Sequence, residues 1–385
     1  MPATDFPRRP AVTVLTVFGT RPEVIKLAPV LRQLDLYPAE FRSVVVSSGQ
    51  HTDLLAPFVK LFGLKVDRDL KVMRAGQPLN LLLARILTEL DGVLENVRPG
   101  LILVQGDTTT ALAGALAGFH RGIPVGHVEA GLRTGDPLTP FPEETNRRLI
   151  SRLAALHFAA TPRNRAALIR EGVPEGRVFV TGNTVVDALQ YMGTVLTPSD
   201  RVTSLLDSLA GKRIVTLTTH RRESFGDTLA GNLRVLREFV ASQPDVVLVF
   251  PVHPNPTVRA AARELLGDAD RVLLTDPLDY PDFIALLSAS WLIVSDSGGV
   301  QEEAPSLGRP LIVLREQTER PEAVEAGFAK LAGTPERLAE LLANADPAPR
   351  RRAGRNPFGD GDAGQQIVQA VRRFFTAPVA VEVTR

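Results

Sequence analysis

Short β-branched apolar runs alternate with longer helical patterns along this chain, and the alternation starts twice. Residues 12–18, 41–47, 101–104, 124–128 and 156–159 are nearly continuous apolar runs, as suits strands buried on both faces of a parallel sheet. Helical patterns at 23–34, 79–97, 110–119 and 144–152 lie between them. Strand–helix alternation of this kind predicts a doubly wound α/β domain. The pattern resumes after a mixed stretch, 193–211, that reads as containing the linker. Further strands are expected at 214–217, 246–250, 272–274, 291–294 and 310–314. A chain of 385 residues accommodates two such domains at roughly 100–200 residues each. The expectation is an α/β protein with two Rossmann-like domains facing a cleft, spanning 1–190 and 191–362. Segment 347–362 reads as a loop. Residues 363–375 read as a helix that has to dock, followed by a frayed end.

The chain has no cysteine, which excludes disulfides, zinc–thiolate sites, iron–sulfur clusters and a cysteine nucleophile. Its 44 basic and 43 acidic residues leave a net charge of +1, which argues against a dedicated nucleic-acid or anionic-membrane binder. No apolar run approaches the ~18–20 residues of a membrane span, and the polar first ten residues do not read as a signal peptide. A cytoplasmic enzyme is the expected class.

Ligands of open parallel sheets bind outside the carboxyl ends of the strands, so chemistry is sought there. Gly19-Thr20-Arg21-Pro22-Glu23 ends the first strand and opens a helix. It lacks the Gly-x-Gly-x-x-Gly of nicotinamide or flavin sites. Arg21 and Lys26 beside a helix N-terminus with free N–H groups suit an anion; the alternative is ordinary surface charge. Gln105-Gly106-Asp107 ends another strand, and Asp107 either carries chemistry or caps the next helix. Glu129 closes a strand before a glycine turn, where neither helix nor sheet propensity asks for a glutamate. Glu143 and Arg147 follow, four residues apart and on one helix face. Asp107, Glu129 and Glu143 together would put three carboxylates at one sheet edge, where mutual pKa perturbation suits acid–base work.

In the second half, Thr219-His220-Arg221-Arg222-Glu223 follows a strand. His220 there suits a phosphate. As a zinc site it lacks a third ligand, and no metal is expected. Ser297-Gly298-Gly299 opens a helix and suits an anion cradle, with Glu303 on the same helix placed for ribose hydroxyls. The paired aspartates 67/69 and 360/362 read as surface, and His120 and His157 as structural.

In order and spacing these motifs resemble those of the non-hydrolysing UDP-N-acetylglucosamine 2-epimerase family. The resemblance runs from Gly19-Thr20-Arg21-Pro22-Glu23 through Gly49-Gln50-His51, Gly106-Asp107-Thr108, His127-Val128-Glu129-Ala130-Gly131-Leu132-Arg133, Pro142-Glu143-Glu144, Thr219-His220-Arg221-Arg222-Glu223 and Pro251-Val252-His253 to Asn356-Pro357-Phe358-Gly359-Asp360-Gly361. It implies the glycosyltransferase-B architecture, a C-terminal helix (363–380) crossing back to the first domain, and a homodimer. It implies Asp107, Glu129, Glu143 and His220 as catalytic, with Arg147 near the substrate. It places Arg21, Lys26, Leu278, Phe283, Ser297, Gly298, Gly299, Glu303 and Arg320 where the family binds UDP, with Phe283 on uracil and Leu278 near the base. Gln50, His51 and Gln77 fall at positions linked, in some relatives, to a regulatory UDP-GlcNAc.

The implied reaction interconverts UDP-GlcNAc and UDP-ManNAc at C2 without a cofactor, supplying ManNAc for cell-surface polysaccharide. Alternatives are the hydrolysing branch, a retaining UDP-sugar glycosyltransferase of the same architecture, and a non-catalytic sensor.

Overall fold

The computed structural model describes residues 10–49, 52–74, 76–195, 197–219, 226–346 and 356–376. Two units are compact: residues 1–188 with 359–385, and residues 189–358.

Unit 1 is built on β1 (Val12–Phe18), β2 (Phe41–Ser47), β3 (Arg68–Asp69), β4 (Leu101–Gln105), β5 (Val125–Ala130), β6 (Leu156–Ala159) and β7 (Val178–Val180). They pair in the order β3-β2-β1-β4-β5-β6-β7, parallel at each pairing. Its helices are α1 (Arg21–Asp35), α2 (Thr52–Leu61), α3 (Leu79–Val97), α4 (Thr109–His120), α5 (Glu143–Leu153), α6 (Pro162–Arg170) and α7 (Thr184–Val195), which runs across the unit boundary. Strand order reverses between β1 and β4, and ligands of such sheets collect at that reversal. The core behind it packs Leu15 and Val17 with Val104, Ala113, Ile86 and Leu90. Gly114 is required there, because a Cβ would stand 2.8 Å from Val104.

Unit 2 repeats the plan. Its strands are β8 (Arg213–Thr218), β9 (Val246–Pro251), β10 (Val272–Thr275), β11 (Leu292–Ser295), β12 (Leu311–Val313) and β13 (Ala329–Leu331). Their order is β10-β9-β8-β11-β12-β13, again parallel and again reversing, between β8 and β11. Its helices are α8 (Asp200–Ser208), α9 (Asp227–Ser242), α10 (Pro256–Leu266), α11 (Tyr280–Ala289), α12 (Gly298–Leu307), α13 (Pro321–Glu325) and α14 (Pro335–Ala343). Both halves are the Rossmann-like units the alternation predicts.

The stretch 193–211, expected to hold a linker, contains α8. Ser199 caps it, accepting from the Val202 N–H at 3.3 Å. Val202, Leu205, Leu206 and Leu209 recur at helical spacing, and the three leucines pack into a cluster with Ile214, Val249 and Leu286. Nine residues with so many polar positions give too weak a period to outweigh their composition.

The final helix, α15 (Ala363–Thr376), belongs to unit 1 and packs on α1. It buries Ile367, Val368 and Val371, each worth ~1.5–3 kcal/mol when fully covered. Gly364 lets the helices touch, since a Cβ there would lie 2.9 Å from the Pro29 carbonyl oxygen. Asp187 of α7 accepts the Ala363 and Gly364 N–H groups at 3.2 and 2.8 Å. No helix among the described residues is long and apolar enough to cross a membrane.

Candidate active site

At the reversal point of unit 1, the first helix begins with a capping box of Thr20 and Glu23. Glu23 is buried. Its Oε2 accepts the Gly19 N–H at 3.0 Å, the Thr20 N–H at 2.7 Å and the Thr20 hydroxyl at 2.7 Å, and its Oε1 accepts the Thr108 hydroxyl at 2.7 Å. Burial pushes its carboxyl upward despite these donors. The Gly19 and Thr20 N–H groups just before the helix are therefore taken by the helix's own glutamate. Arg21 is exposed, its guanidinium 5.6 Å from the centre of the Phe58 ring. Lys26 is buried and bonded to Glu129, so this side chain neutralises a carboxylate of the site itself.

Glu129, one residue before the end of β5, is in a left-handed conformation, φ 64°, and the pairing with β6 slips between Val128 and Ala130. A non-glycine residue held there costs on the order of 1–3 kcal/mol, and such strain gathers at functional sites. Among the described residues, three segments donate hydrogen bonds to its buried carboxylate. Lys26 of α1 and the Asn183 amide (3.1 Å) donate to Oε1, and Gln105 of β4 donates to Oε2. Gly131 follows at φ 94°, and a Cβ there would fall 2.3 Å from the Asn164 carbonyl oxygen. The chain has to turn there without a side chain.

Asp107 sits on the neighbouring turn, after Gly106 at φ 69°. Thr108 caps α4, accepting the Ala111 N–H at 3.0 Å, so capping is not the role of Asp107. Its Oδ2 receives Arg147 Nη2 at 2.5 Å and Nε at 3.1 Å, and its carbonyl receives the Asn146 amide at 2.9 Å. Arg147 is held in turn by buried Glu144 at 3.1 Å, which also accepts the Thr134 N–H at 3.1 Å and Arg148 at 2.9 Å. Glu143 is half-buried and opens α5, one turn before Arg147. Asp107 and Glu129 thus stand near the ends of adjacent strands, as the three-carboxylate edge requires of them, and each faces a cation.

Beneath them His127 is fully buried and donates Nε2–H to the Gly106 carbonyl at 2.7 Å. Burial drives its pKa down to about 3, so the ring is neutral and braces the Asp107 turn.

At the reversal point of unit 2, Ser297 precedes the paired glycines that open α12. Arg320 lies against them. A Cβ on Gly298 would be 2.7 Å from its Nη1. The guanidinium is fixed by buried Glu302 and Glu319, each at 2.5 Å, and Arg315 supports Glu319 at 2.7 Å. Glu303 is buried and accepts the Tyr280 hydroxyl at 2.8 Å. Phe283 is half-buried on α11, and Leu278, just before that helix, packs beside the cluster of Leu209 and Leu286.

His220, Gln50 and His51 lie outside the described residues. Gln77 accepts from Arg85 at 2.6 Å. Among the described residues no three His, Asp or Glu are grouped as a metal site needs.

Glu23, Gln105, Glu144 and Asn183 were not singled out from sequence. Gln105 carried a signal, a polar residue inside a strand run. Glu144 carried another, a spacing of three and four from Arg147 and Arg148. Asn183 carried none, because its partner is 54 residues away.

The UDP-N-acetylglucosamine 2-epimerase family model matches residues 35–372. The chain is 44% identical over 371 residues to the UDP-N-acetylglucosamine 2-epimerase of Salmonella typhimurium, covering 94% of this chain and 98% of that protein. It is 46% identical over 369 residues to the Yersinia pestis enzyme of that name, covering 93% and 98%. The Neisseria meningitidis UDP-GlcNAc 2-epimerase, solved bound to UDP-GlcNAc, superposes with a TM-score of 0.87 at 40% identity, covering 94% of this chain and 100% of that one. On this likeness in sequence and fold, the chain belongs to the UDP-N-acetylglucosamine 2-epimerase family.

Proposed function

We propose that this protein interconverts UDP-GlcNAc and UDP-ManNAc by the non-hydrolysing route. The observation that carries the reading is the pair of compensated carboxylates, Glu129 and Asp107, on adjacent strand ends of a family member. The C2 hydrogen of the sugar has no neighbouring carbonyl, so direct deprotonation gives an unstabilised carbanion. Breaking the C1–O bond first sends that electron pair to UDP and leaves an oxocarbenium-like C1. The acidified C2–H then passes its proton to a carboxylate, and its electrons form the C1=C2 bond of 2-acetamidoglucal. Proton return on the opposite face, with UDP oxygen re-adding at C1, completes epimerisation. No external oxidant or reductant is needed.

Asp107, Glu129 and Glu143 are assigned to proton transfer and sugar binding, with Arg147 orienting Asp107. The N–H donors of Lys26, Asn183 and Gln105 complement a carboxylate anion, which keeps Glu129 ionised and oriented. Ser297, Gly298, Gly299 and Arg320 are assigned to the diphosphate, Glu303 to ribose, and Phe283 with Leu278 to uracil. Arg21 and His220 stabilise the departing diphosphate, and Lys26 acts through Glu129. Gln50, His51 and Gln77 remain assigned to a regulatory UDP-GlcNAc. A cytoplasmic homodimer supplying ManNAc for surface polysaccharide completes the reading.

Proton NMR of the protein with UDP-GlcNAc in heavy water tests it. Both UDP-sugars, deuterated at C2 and at equilibrium, are expected. Free ManNAc with UDP would move the chain to the hydrolysing branch, and an unchanged spectrum would overturn the assignment.

A further inference from the structure

We propose that Asn183 is a positioning residue for Glu129, and that turnover depends on its amide N–H and not on its capping of α7. The inference rests on the epimerase reading above and deepens it.

Glu129 is a left-handed bulge residue within β5, where pairing with β6 skips from Val128 to Ala130. The bulge turns its side chain out of the regular strand alternation, and its partners fix where it points. They differ in what they fix. Lys26 brings charge on a flexible four-carbon stem, a point charge with rotatable donors and little directional demand. Gln105, on the neighbouring strand, fixes Oε2. The second oxygen takes its direction from Asn183, which reaches past β6 from the turn after β7.

The Asn183 amide has one orientation. Its Oδ1 accepts the Val185 N–H at 3.0 Å, so Nδ2 has to face Glu129. Serine and aspartate cap a helix as well as asparagine does. Capping alone thus makes no call on an amide; the contact with Glu129 does. The turn that carries it is crowded. Asn183 is buried, Gly182 has φ 84°, and a Cβ on Gly359 would stand 3.1 Å from the Gly182 Cα. A donor on so constrained a turn holds its acceptor to a fraction of an ångström, which proton transfer requires.

The experiment compares the full-length protein with Asn183→Ser and Asn183→Asp. It measures kcat and KM for UDP-GlcNAc, UDP affinity, and the thermal midpoint. Asn183→Ser keeps a cap and replaces the amide N–H, 3.1 Å from Glu129 Oε1, with a hydroxyl one bond nearer the backbone that caps α7 and no longer reaches Glu129. Its kcat is expected to fall about 10- to 100-fold, the scale of one hydrogen bond to a charged group, with KM and UDP affinity within about threefold and the thermal midpoint close to wild type. Asn183→Asp, nearly isosteric, keeps the cap but turns a carboxylate oxygen toward Glu129, and its kcat is expected to fall further. Wild-type kcat in Asn183→Ser would overturn the proposal and leave Asn183 a helix cap. Equal losses in both variants together with a large fall in thermal midpoint would also overturn it. If the wild-type protein shows no C2 exchange, the epimerase reading fails first and this inference falls with it.

Discussion

At the scale of single residues, the site is made of buried charges that exist only in company. Lys26 and Glu129 are both buried and bonded to each other. Removing one partner of such a pair typically costs ~3–5 kcal/mol, because the other charge is left uncompensated. Lys26→Met is therefore expected to lower the free energy of unfolding in urea by about that amount. Adding Glu129→Gln to it should restore much of the loss, a coupling that a double-mutant cycle measures. Glu129→Gln alone should abolish epimerisation and leave UDP affinity within an order of magnitude. The second site has its own steric test. The Arg320 head is pinned by Glu302 and Glu319 and cannot yield cheaply to a new methyl group. Gly298→Ala puts a carbon 2.7 Å from Arg320 Nη1, and calorimetric titration with UDP is expected to show affinity about tenfold lower or worse, on the ~1–3 kcal/mol scale of overpacking. Residue types at these positions were legible in the sequence. Their partners were not: Lys26, read as an anion's counter-charge, is bonded to Glu129, a partner 103 residues away.

At the scale of elements, turns and helix ends do the positioning. Thr20 and Glu23 close the start of α1, Thr108 caps α4 and reaches Glu23, and Asn183 caps α7 and reaches Glu129. Thr108 and Asn183 thus each serve their own helix and a glutamate far away in sequence, Glu23 in α1 and Glu129 in β5. The docking of α15 shows the same economy. Its apolar face, the Asp187 cap, and the half-exposed pair of Arg372 with Glu40 at 2.8 Å fix it to unit 1. The ion pair contributes little, ~0–1 kcal/mol, as exposed pairs do, so the apolar face carries the docking and Gly364 permits the approach it needs. Gly364→Ala would drive a carbon to 2.9 Å from the backbone of Pro29, and a loss of about 1–3 kcal/mol is expected, read as a lower denaturant midpoint. Strongly periodic segments such as α3, α15 and the central strands were legible at this scale. The short α8 lies in the stretch read as containing the linker, because its nine residues carry too many polar positions for the apolar period to stand out.

At the scale of the whole molecule, burial couples stability to pH. His127 and His157 are buried, with pKa values pushed down to about 3 and about 4. Between those values and about 6.5, the unfolded chain carries protons that the native protein does not. Stability therefore rises with pH across that window, by ~1.4 kcal/mol per pH unit for each proton. Asp187, pushed up to about 6 by burial, acts the other way: its native state holds the extra proton, and its contribution is lost as pH rises through about 6. One histidine thus offsets Asp187 between about pH 4 and 6. His127→Gln is expected to flatten the urea-unfolding free energy against pH by ~1.4 kcal/mol per unit in that range. An unchanged slope would mean that His127 is protonated in the native protein. What the sequence determined by itself was periodic or local: the twofold α/β plan, the strand ends where chemistry gathers, and the residue types found there. These follow from hydrophobic period and turn chemistry, which act over a few residues. Tertiary structure decided which distant groups meet, that Lys26 and Asn183 hold Glu129, that Arg147 holds Asp107, and that α15 seats on α1. Those choices rest on close contact and desolvation between segments many residues apart, which no local pattern encodes.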